Sequence, residues 1–354
     1  MYSPRLRADV GLPFRDLVRS TACSWEELSG RSLAVDGYNA IYQFLATIRQ
    51  RDGQPFSDPE GRTTSHLMGV FYRTTNLLAN GVRPVWVFDG RPPDLKAGTL
   101  RARYVAKERA ETAWQEALAA GDLETARRKA AQTSRLTRPM VEEVTELLRA
   151  LGVPTVQAPS EGEAQAAAMA AAGVVWAAAS EDYDSLLFGA PRLVRGLAAR
   201  GSGGGAPAAQ VIERDRVLAD LGVSGDELLA IALLVGTDFN DGATGIGPKR
   251  ALKLAQQHLG YEATLRAGGL DPDALTPVAE IFRHPEVAPT GPVAFGRIDP
   301  VAVERILVDG HGFSADRVHA SVQRATRSGA QPAPLPSSRA RQAVLDGFAE
   351  EDRP

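Results

Sequence analysis

Three short apolar runs in this chain each lead into an aspartate. Residues 32–35 end at Asp36, residues 84–88 end at Asp89, and residues 174–179 stand shortly before Asp182. A brief continuous apolar run is the pattern of a strand covered on both faces. Helical patterns lie between these runs, at residues 65–79, 139–151 and 161–172. The alternation predicts an α/β fold: a mostly parallel central sheet flanked by helices. In such sheets functional groups collect at the carboxyl ends of the strands, where Asp36 and Asp89 fall.

Seven carboxylates occupy strand ends or helix starts beside small or apolar residues: Asp36, Asp89, Glu161, Glu163, Asp182, Asp184 and Asp238. Like charges gathered in such surroundings are unfavourable unless protons or cations compensate. The single cysteine, Cys23, permits neither an internal disulfide nor a zinc site, and the five histidines lack metal-ligand spacing. The remaining all-oxygen donor set suits a hard cation, Mg²⁺ or Mn²⁺. Two such ions about 4 Å apart are a common device for in-line attack on a phosphodiester. Taken singly, each acid reads as a cap or a surface charge. Glu161 and Glu163 follow Ser160 and suit a helix N-terminus, and Asp238 after Gly-Thr suits a turn. It is the set, converging on one edge of the sheet, that predicts a metal site.

The net charge of −3 means the chain as a whole is not basic, but binding follows local charge. Residues 91–138 carry eleven Lys or Arg against six Asp or Glu, and read as one or two charged helices broken near Ala120-Gly121-Asp122. Residues 200–209 read as a flexible loop and residues 328–341 as a disordered linker. No apolar run is long enough to span a bilayer and no signal-peptide pattern is present. An intracellular location, cytoplasmic or nucleoid, is expected.

The strings LAVDGYNAIYQFLATIRQ, TTSHLMGVFYRTTNLL, PVWVFDGRPPDLK, VQAPSEGEAQAA, SEDYDSLLFGAPRLVR and LLVGTDFNDGATGIGPKRAL resemble the archaeal-type flap endonucleases of the structure-specific 5′ nuclease superfamily. The strings stand in the family's order and at its spacing, covering residues 11–258. The resemblance implies a two-metal cluster, with Asp36, Asp89, Glu161 and Glu163 in one group and Asp182, Asp184 and Asp238 in the other. It implies hydrolysis of one phosphodiester at the base of a 5′ flap, leaving a 5′-phosphate and a 3′-hydroxyl. It also implies 5′-3′ exonuclease action on nicked or gapped duplex, with roles in Okazaki fragment maturation and long-patch base-excision repair.

Lys96 and Arg103 lie seven residues apart, two helical turns, so both face one way from a helix that follows Asp89. On the residues alone they are a solvated basic face; the family uses the matching pair to neutralise the scissile phosphate. The segment 91–138 resembles the family's helical arch, beneath which a single-stranded flap passes. Tyr42 resembles the tyrosine that stacks on the nucleotide beside the cut, with a core tyrosine as the alternative. Arg49 and Arg73 resemble arginines near the junction, with surface salt bridges as the alternative. Gly245, Gly247, Lys249 and Arg250 resemble a helix–three-turn–helix element that grips duplex DNA and holds a monovalent cation, K⁺. Gln342, Leu345 and Phe348 resemble a sliding-clamp peptide, although Ala349 replaces the second aromatic.

The implied organisation is an extension (1–10), an N-terminal nuclease region that begins the arch (11–110), and the rest of the arch (111–138). An internal nuclease region (139–270) follows, with the helix–three-turn–helix at about 226–258. A C-terminal helical region (271–327) and a tail (328–354) complete it. Gly11 matches the glycine at which family members begin, so a natural start at position 10 is expected. Residues 259–330 match poorly and leave the 3′-flap pocket unassigned. A monomer is expected, with branched DNA and the clamp as partners. Two rival readings remain: a Holliday-junction or bubble nuclease of the superfamily, and a catalytically silent DNA-binding clamp adaptor. The full set of acids argues against the second.

Overall fold

The computed structural model describes residues 14–197 and 208–327. Within them, β1 (Thr21–Cys23), β2 (Ser32–Asp36), β3 (Arg83–Phe88), β4 (Thr155–Gln157), β5 (Ala177–Ala179), β6 (Arg192–Arg195) and β7 (Ala209–Glu213) form one sheet, ordered β1-β7-β6-β5-β2-β3-β4. The five strands from β4 to β6 run parallel, and β7 and β1 close one edge antiparallel. The three strands foreseen from the apolar runs are neighbours at the centre, with Val35 of β2 opposite both Trp86 and Ala179. From β2 the chain builds outward through β3 and β4, then returns to build the other way through β5 and β6. That reversal opens a crevice at the carboxyl ends of β2 and β5.

One expected strand is shorter than its apolar run. Residues 174–176 leave the preceding helix in a tight turn, with Gly173 at φ +66° and the Val174 amide donating to the Met169 carbonyl at 2.9 Å. Residues 208 and 209, expected in a loop, are buried, and Ala209 opens β7. The extension (1–10), Gly11, most of the 200–209 loop and the tail carrying Gln342, Leu345 and Phe348 lie outside the described residues.

Side chains of the central strands alternate between two cores. Leu33, Val35, Trp86, Phe88, Ala177 and Ala179 face one, while Ala34, Val85, Val87 and Ala178 face the other. Helices Gly37–Thr47, Ser65–Ala79, Arg138–Ala150 and Ala315–Arg327 cover the first face; Gly162–Ala171, Gly225–Val235, Pro248–Gln257 and Pro272–Arg283 cover the second. Every residue from Leu228 to Val235 is buried, as expected for a helix apolar all round.

The basic segment forms a 3-10 turn (Asp94–Lys96), a long helix (Ala97–Ala119) and a short one (Leu123–Ala130). The break is where the sequence put it: Gly121 adopts φ +73°, and Asp122 caps the short helix by accepting from the Thr125 amide at 3.0 Å. The two helices pack through Trp114, Ala117, Ala126 and Ala130. The Trp114 indole N–H donates to the Asp52 carbonyl at 3.2 Å, fastening this arm to the loop after Gly37–Thr47.

Candidate metal centre

Asp36 closes β2 and caps the next helix, accepting from the Asn39 amide at 3.0 Å. Asp89 directly follows β3 and accepts from the Gly162 amide at 2.7 Å. Glu161 is the N-cap of helix Gly162–Ala171 and Glu163 lies in its first turn, so one helix start presents two acids to the crevice. Asp182 and Asp184 follow β5, and the Asp184 amide donates to Asp182 at 3.2 Å. Asp238 stands in the turn after helix Gly225–Val235.

Ser180 joins two of these groups. Its hydroxyl lies 2.6 Å from Glu163 Oε1 and 3.2 Å from Asp36 Oδ2, while accepting from the Asp182 amide at 3.1 Å. One hydroxyl proton cannot serve both carboxylates at once, so a further proton or a cation must balance them. Glu163, Asp182 and Asp184 bring oxygens within 4.8 Å of one another. Asp184 Oδ1 is buried with no hydrogen-bond partner, an oxygen free to ligate.

The electrostatics link all seven acids. Burial, reinforced by the charge of Asp89, pushes Asp36 up to about 7. Burial and then Glu161 push Asp89 up to about 6, with Asp238 adding to it. Glu163 and Asp184 are held well above the carboxylate range, first by burial and next by Asp182. A crevice that resists ionising its own acids, is lined only by oxygen donors and holds an unsatisfied buried carboxylate oxygen fits a hard divalent cation.

Lys96 and Arg103 both reach this centre, although Lys96 closes the 3-10 turn and does not share the helix of Arg103. Lys96 Nζ lies 2.5 Å from Glu161 and 3.3 Å from Asp238, and Arg103 lies 2.6 Å from Asp238. Burial works against the lysine charge, but Glu161 and Asp238 hold its pKa above the ordinary lysine value. The Thr99 hydroxyl donates to the Asp238 carbonyl at 2.7 Å, so three side chains fasten the arch base to one turn. The pair is therefore not a solvated basic face.

Tyr42 is partly exposed and, with Tyr38, Asp89 and Gln157, lines a cleft of about 690 Å³. Lys107 Nζ lies 4.5 Å from its ring centroid. Arg49 lies apart from the acids, with every guanidinium nitrogen engaged: to the carbonyls of Leu45 and Gly53 at 2.8 Å each, and to the Ser134 hydroxyl at 3.1 Å. Arg73 is largely buried, 5.3 Å over the Phe44 ring, with Nε unpartnered. Among the described residues neither arginine makes a surface salt bridge.

Gly245 needs its glycine, at φ +76°, whereas Gly247 is the extended N-cap of helix Pro248–Gln257. Nothing lies within 4 Å of a Cβ built at either, which leaves room for a ligand to approach the backbone. Lys249 and Arg250 are exposed, with Lys249 3.8 Å from Asp16. Sequence reasoning did not single out Ser180, Thr99, Tyr38 or Lys107. Ser180 stands inside the string SEDYD, but a serine two residues before an aspartate has no signature of its own.

The sequence matches two family models, the XPG N-terminal domain over residues 13–110 and the XPG I-region over residues 152–238. It is 47% identical over 308 residues to flap endonuclease 1 of Ignicoccus hospitalis, covering 84% of this chain and 88% of that protein. The fold is similar to that of flap endonuclease-1 from Methanococcus jannaschii, with a TM-score of 0.70 and 41% identity, covering 90% of this chain and 98% of that one. The catalytic core of Rad2 in complex with DNA substrate shares the fold at a TM-score of 0.70 and 24% identity, covering 89% of this chain and 100% of that one. Among the described residues no helix is long and apolar enough to cross a membrane.

Proposed function

The chain belongs to the flap endonuclease 1 family, and on that premise we propose that it is a structure-specific nuclease hydrolysing a phosphodiester at the base of 5′ flaps. The same centre acts as a 5′-3′ exonuclease on nicked or gapped duplex. Okazaki fragment maturation and long-patch base-excision repair are the processes that need both. The observation that carries this reading is the meeting of Lys96 and Arg103, at the base of a basic arch, with Glu161 and Asp238 at the rim of the acidic crevice.

Asp36, Asp89, Glu161, Glu163, Asp182, Asp184 and Asp238 would hold two Mg²⁺ ions, for which Mn²⁺ would substitute. When bound, the ions acidify water and neutralise the charge building on the phosphoryl oxygens. Ser180 orients Glu163 and Asp36. With cations held in the crevice, Glu161 and Asp238 would no longer depend on Lys96 and Arg103, leaving both side chains available to neutralise the scissile phosphate. Tyr42, at the mouth of the cleft shared with Asp89, stacks on the nucleotide beside the cut.

Gly245, Gly247, Lys249 and Arg250 bind phosphates of the duplex, with K⁺ held at the glycine turn. Arg49, which braces the carbonyls of Leu45 and Gly53, and Arg73, over the Phe44 ring, bind DNA near the junction. Gln342, Leu345 and Phe348 dock on a sliding clamp, and the enzyme works as an intracellular monomer. All these DNA contacts are to backbone or base faces, so the enzyme selects by DNA shape and not by sequence.

A cleavage panel of single-flap, double-flap, bubble and four-way substrates with Mg²⁺ tests the reading. Flaps are expected to be cut fastest. Preference for four-way junctions would replace the flap assignment with that of a junction nuclease, and no cleavage of any substrate would leave a DNA-binding adaptor.

A further inference from the structure

Tyr104, on helix Ala97–Ala119, is 53% exposed, and Leu100, one turn earlier on the same face, is 40% exposed. No side chain among the described residues buries this strip, yet the Tyr104 ring is not loose. The Arg135 guanidinium, from the segment that leaves the arch, lies 5.3 Å from its centroid. Lys107 stands in the same relation to Tyr42, at 4.5 Å. Lys107 feels the positive charge of both Arg103 and Arg135, so the two ring–cation pairs are neighbours. Among the described residues neither Lys107 nor Arg135 has a carboxylate partner within ion-pair distance.

The result is a strip of Tyr42, Lys107, Arg135 and Tyr104, of which Tyr42 lines the Asp89 cleft and Tyr104 does not. Rings offer faces to bases and uncompensated cations offer charge to phosphates, and a single strand presents both. Duplex DNA has its base faces already covered by stacking, so the strip is complementary to unpaired nucleotides.

We propose that Tyr104, backed by Arg135, is a stacking station for an unpaired base of the 5′ flap, further from the cut than the base on Tyr42. The proposal rests on the flap reading above and deepens it: Tyr104 is a specificity-determining residue that favours true flaps over nicks. Its contact is with a base, so it acts on binding and not on the chemical step.

The test compares wild-type protein with Tyr104→Ala and Tyr104→Trp. Three substrates are used with Mg²⁺: a natural single-stranded flap, the same flap with abasic residues, and a nicked duplex. Tyr104→Ala is expected to raise KM for the natural flap about tenfold, the size of one base–aromatic stack, with kcat little changed. The KM change on the abasic flap and the nick is expected to stay under about twofold, and Tyr104→Trp to keep the wild-type KM. Equal losses on natural and abasic flaps, or no loss on either, would overturn the proposal. Wild-type protein that cuts no flap would sink the underlying reading, and this one with it, before any variant is compared.

Discussion

The Gly162 amide donates to Asp89 Oδ1 at 2.7 Å, and a Cβ built at Gly162 would lie 2.5 Å from that same oxygen. A helix start and a strand end thus meet at a point where a side chain at residue 162 would force the Asp89 carboxylate to shift. Gly162→Ala is expected to displace Asp89 from the crevice while leaving the fold intact. Overpacking of this kind costs about 1–3 kcal/mol, so the variant should still unfold cooperatively. Cleavage with Mg²⁺ should fall at least about tenfold, the effect of moving one ligand. Wild-type turnover in a folded Gly162→Ala protein would show that Asp89 need not keep this position.

Ser180→Ala removes the hydroxyl shared by Glu163 and Asp36. Groups that orient metal-binding carboxylates are commonly worth about 10–100-fold in metal affinity. The Mg²⁺ concentration giving half-maximal cleavage should rise by that factor, with the maximal rate at saturating Mg²⁺ changed less. An unchanged metal dependence would reduce Ser180 to a structural hydrogen bond.

Ser180 also marks the limit of what the sequence could say. The strand-end aspartates were legible because an apolar run followed by an acid has one economical explanation in a parallel sheet. Asp36, Asp89 and the acids after β5 accordingly lie together. Of the four strands not foreseen, β1 and β4 are three-residue strands at the sheet edges, and β6 and β7 form an antiparallel pair beside one edge, where pairing partners and not patterning decide their conformation. Ser180, Thr99 and the Arg49 bond to Ser134 depend on contacts between residues far apart in the chain, which periodicity does not record. Lys96 and Arg103 meet at Asp238 although only Arg103 lies within the helix that their spacing suggested, and their partners, Glu161 and Asp238, are visible only in three dimensions.

Lys96 is 12% exposed and bridges Glu161 and Asp238, so its removal should have two separable effects. Without metal, Lys96→Ala leaves Glu161 without its cationic partner and Asp238 with Arg103 alone, and the melting temperature should fall; added Mg²⁺ should restore most of it. In single-turnover cleavage the rate should drop about 10²–10³-fold, while flap affinity changes by no more than about threefold. Equal losses in rate and affinity would make Lys96 a docking contact.

The raised carboxyl groups fix the sign of the pH dependence. Burial, followed by neighbouring charge, brings Asp36 to about 7 and Asp89 to about 6, against an ordinary aspartate value of 3.8. The folded protein therefore binds protons here more tightly than the unfolded chain does. Their stabilising effect is complete below the unfolded value and is lost as pH rises through about 6 to about 7. Metal-free protein should melt at progressively lower temperature across that interval. Cations compete for the same oxygens, so metal binding releases protons and tightens as pH rises. Calorimetry with a chelator and with saturating Mg²⁺ should give opposite or strongly diverging trends between pH 6 and 8. In Asp36→Asn the metal-free trend should be shallower, because the more strongly raised of these two carboxyls is gone. A metal-free melting temperature that climbs through the same window, in wild type and Asp36→Asn alike, would mean that other groups, such as the buried His66, whose pKa burial lowers, govern the titration.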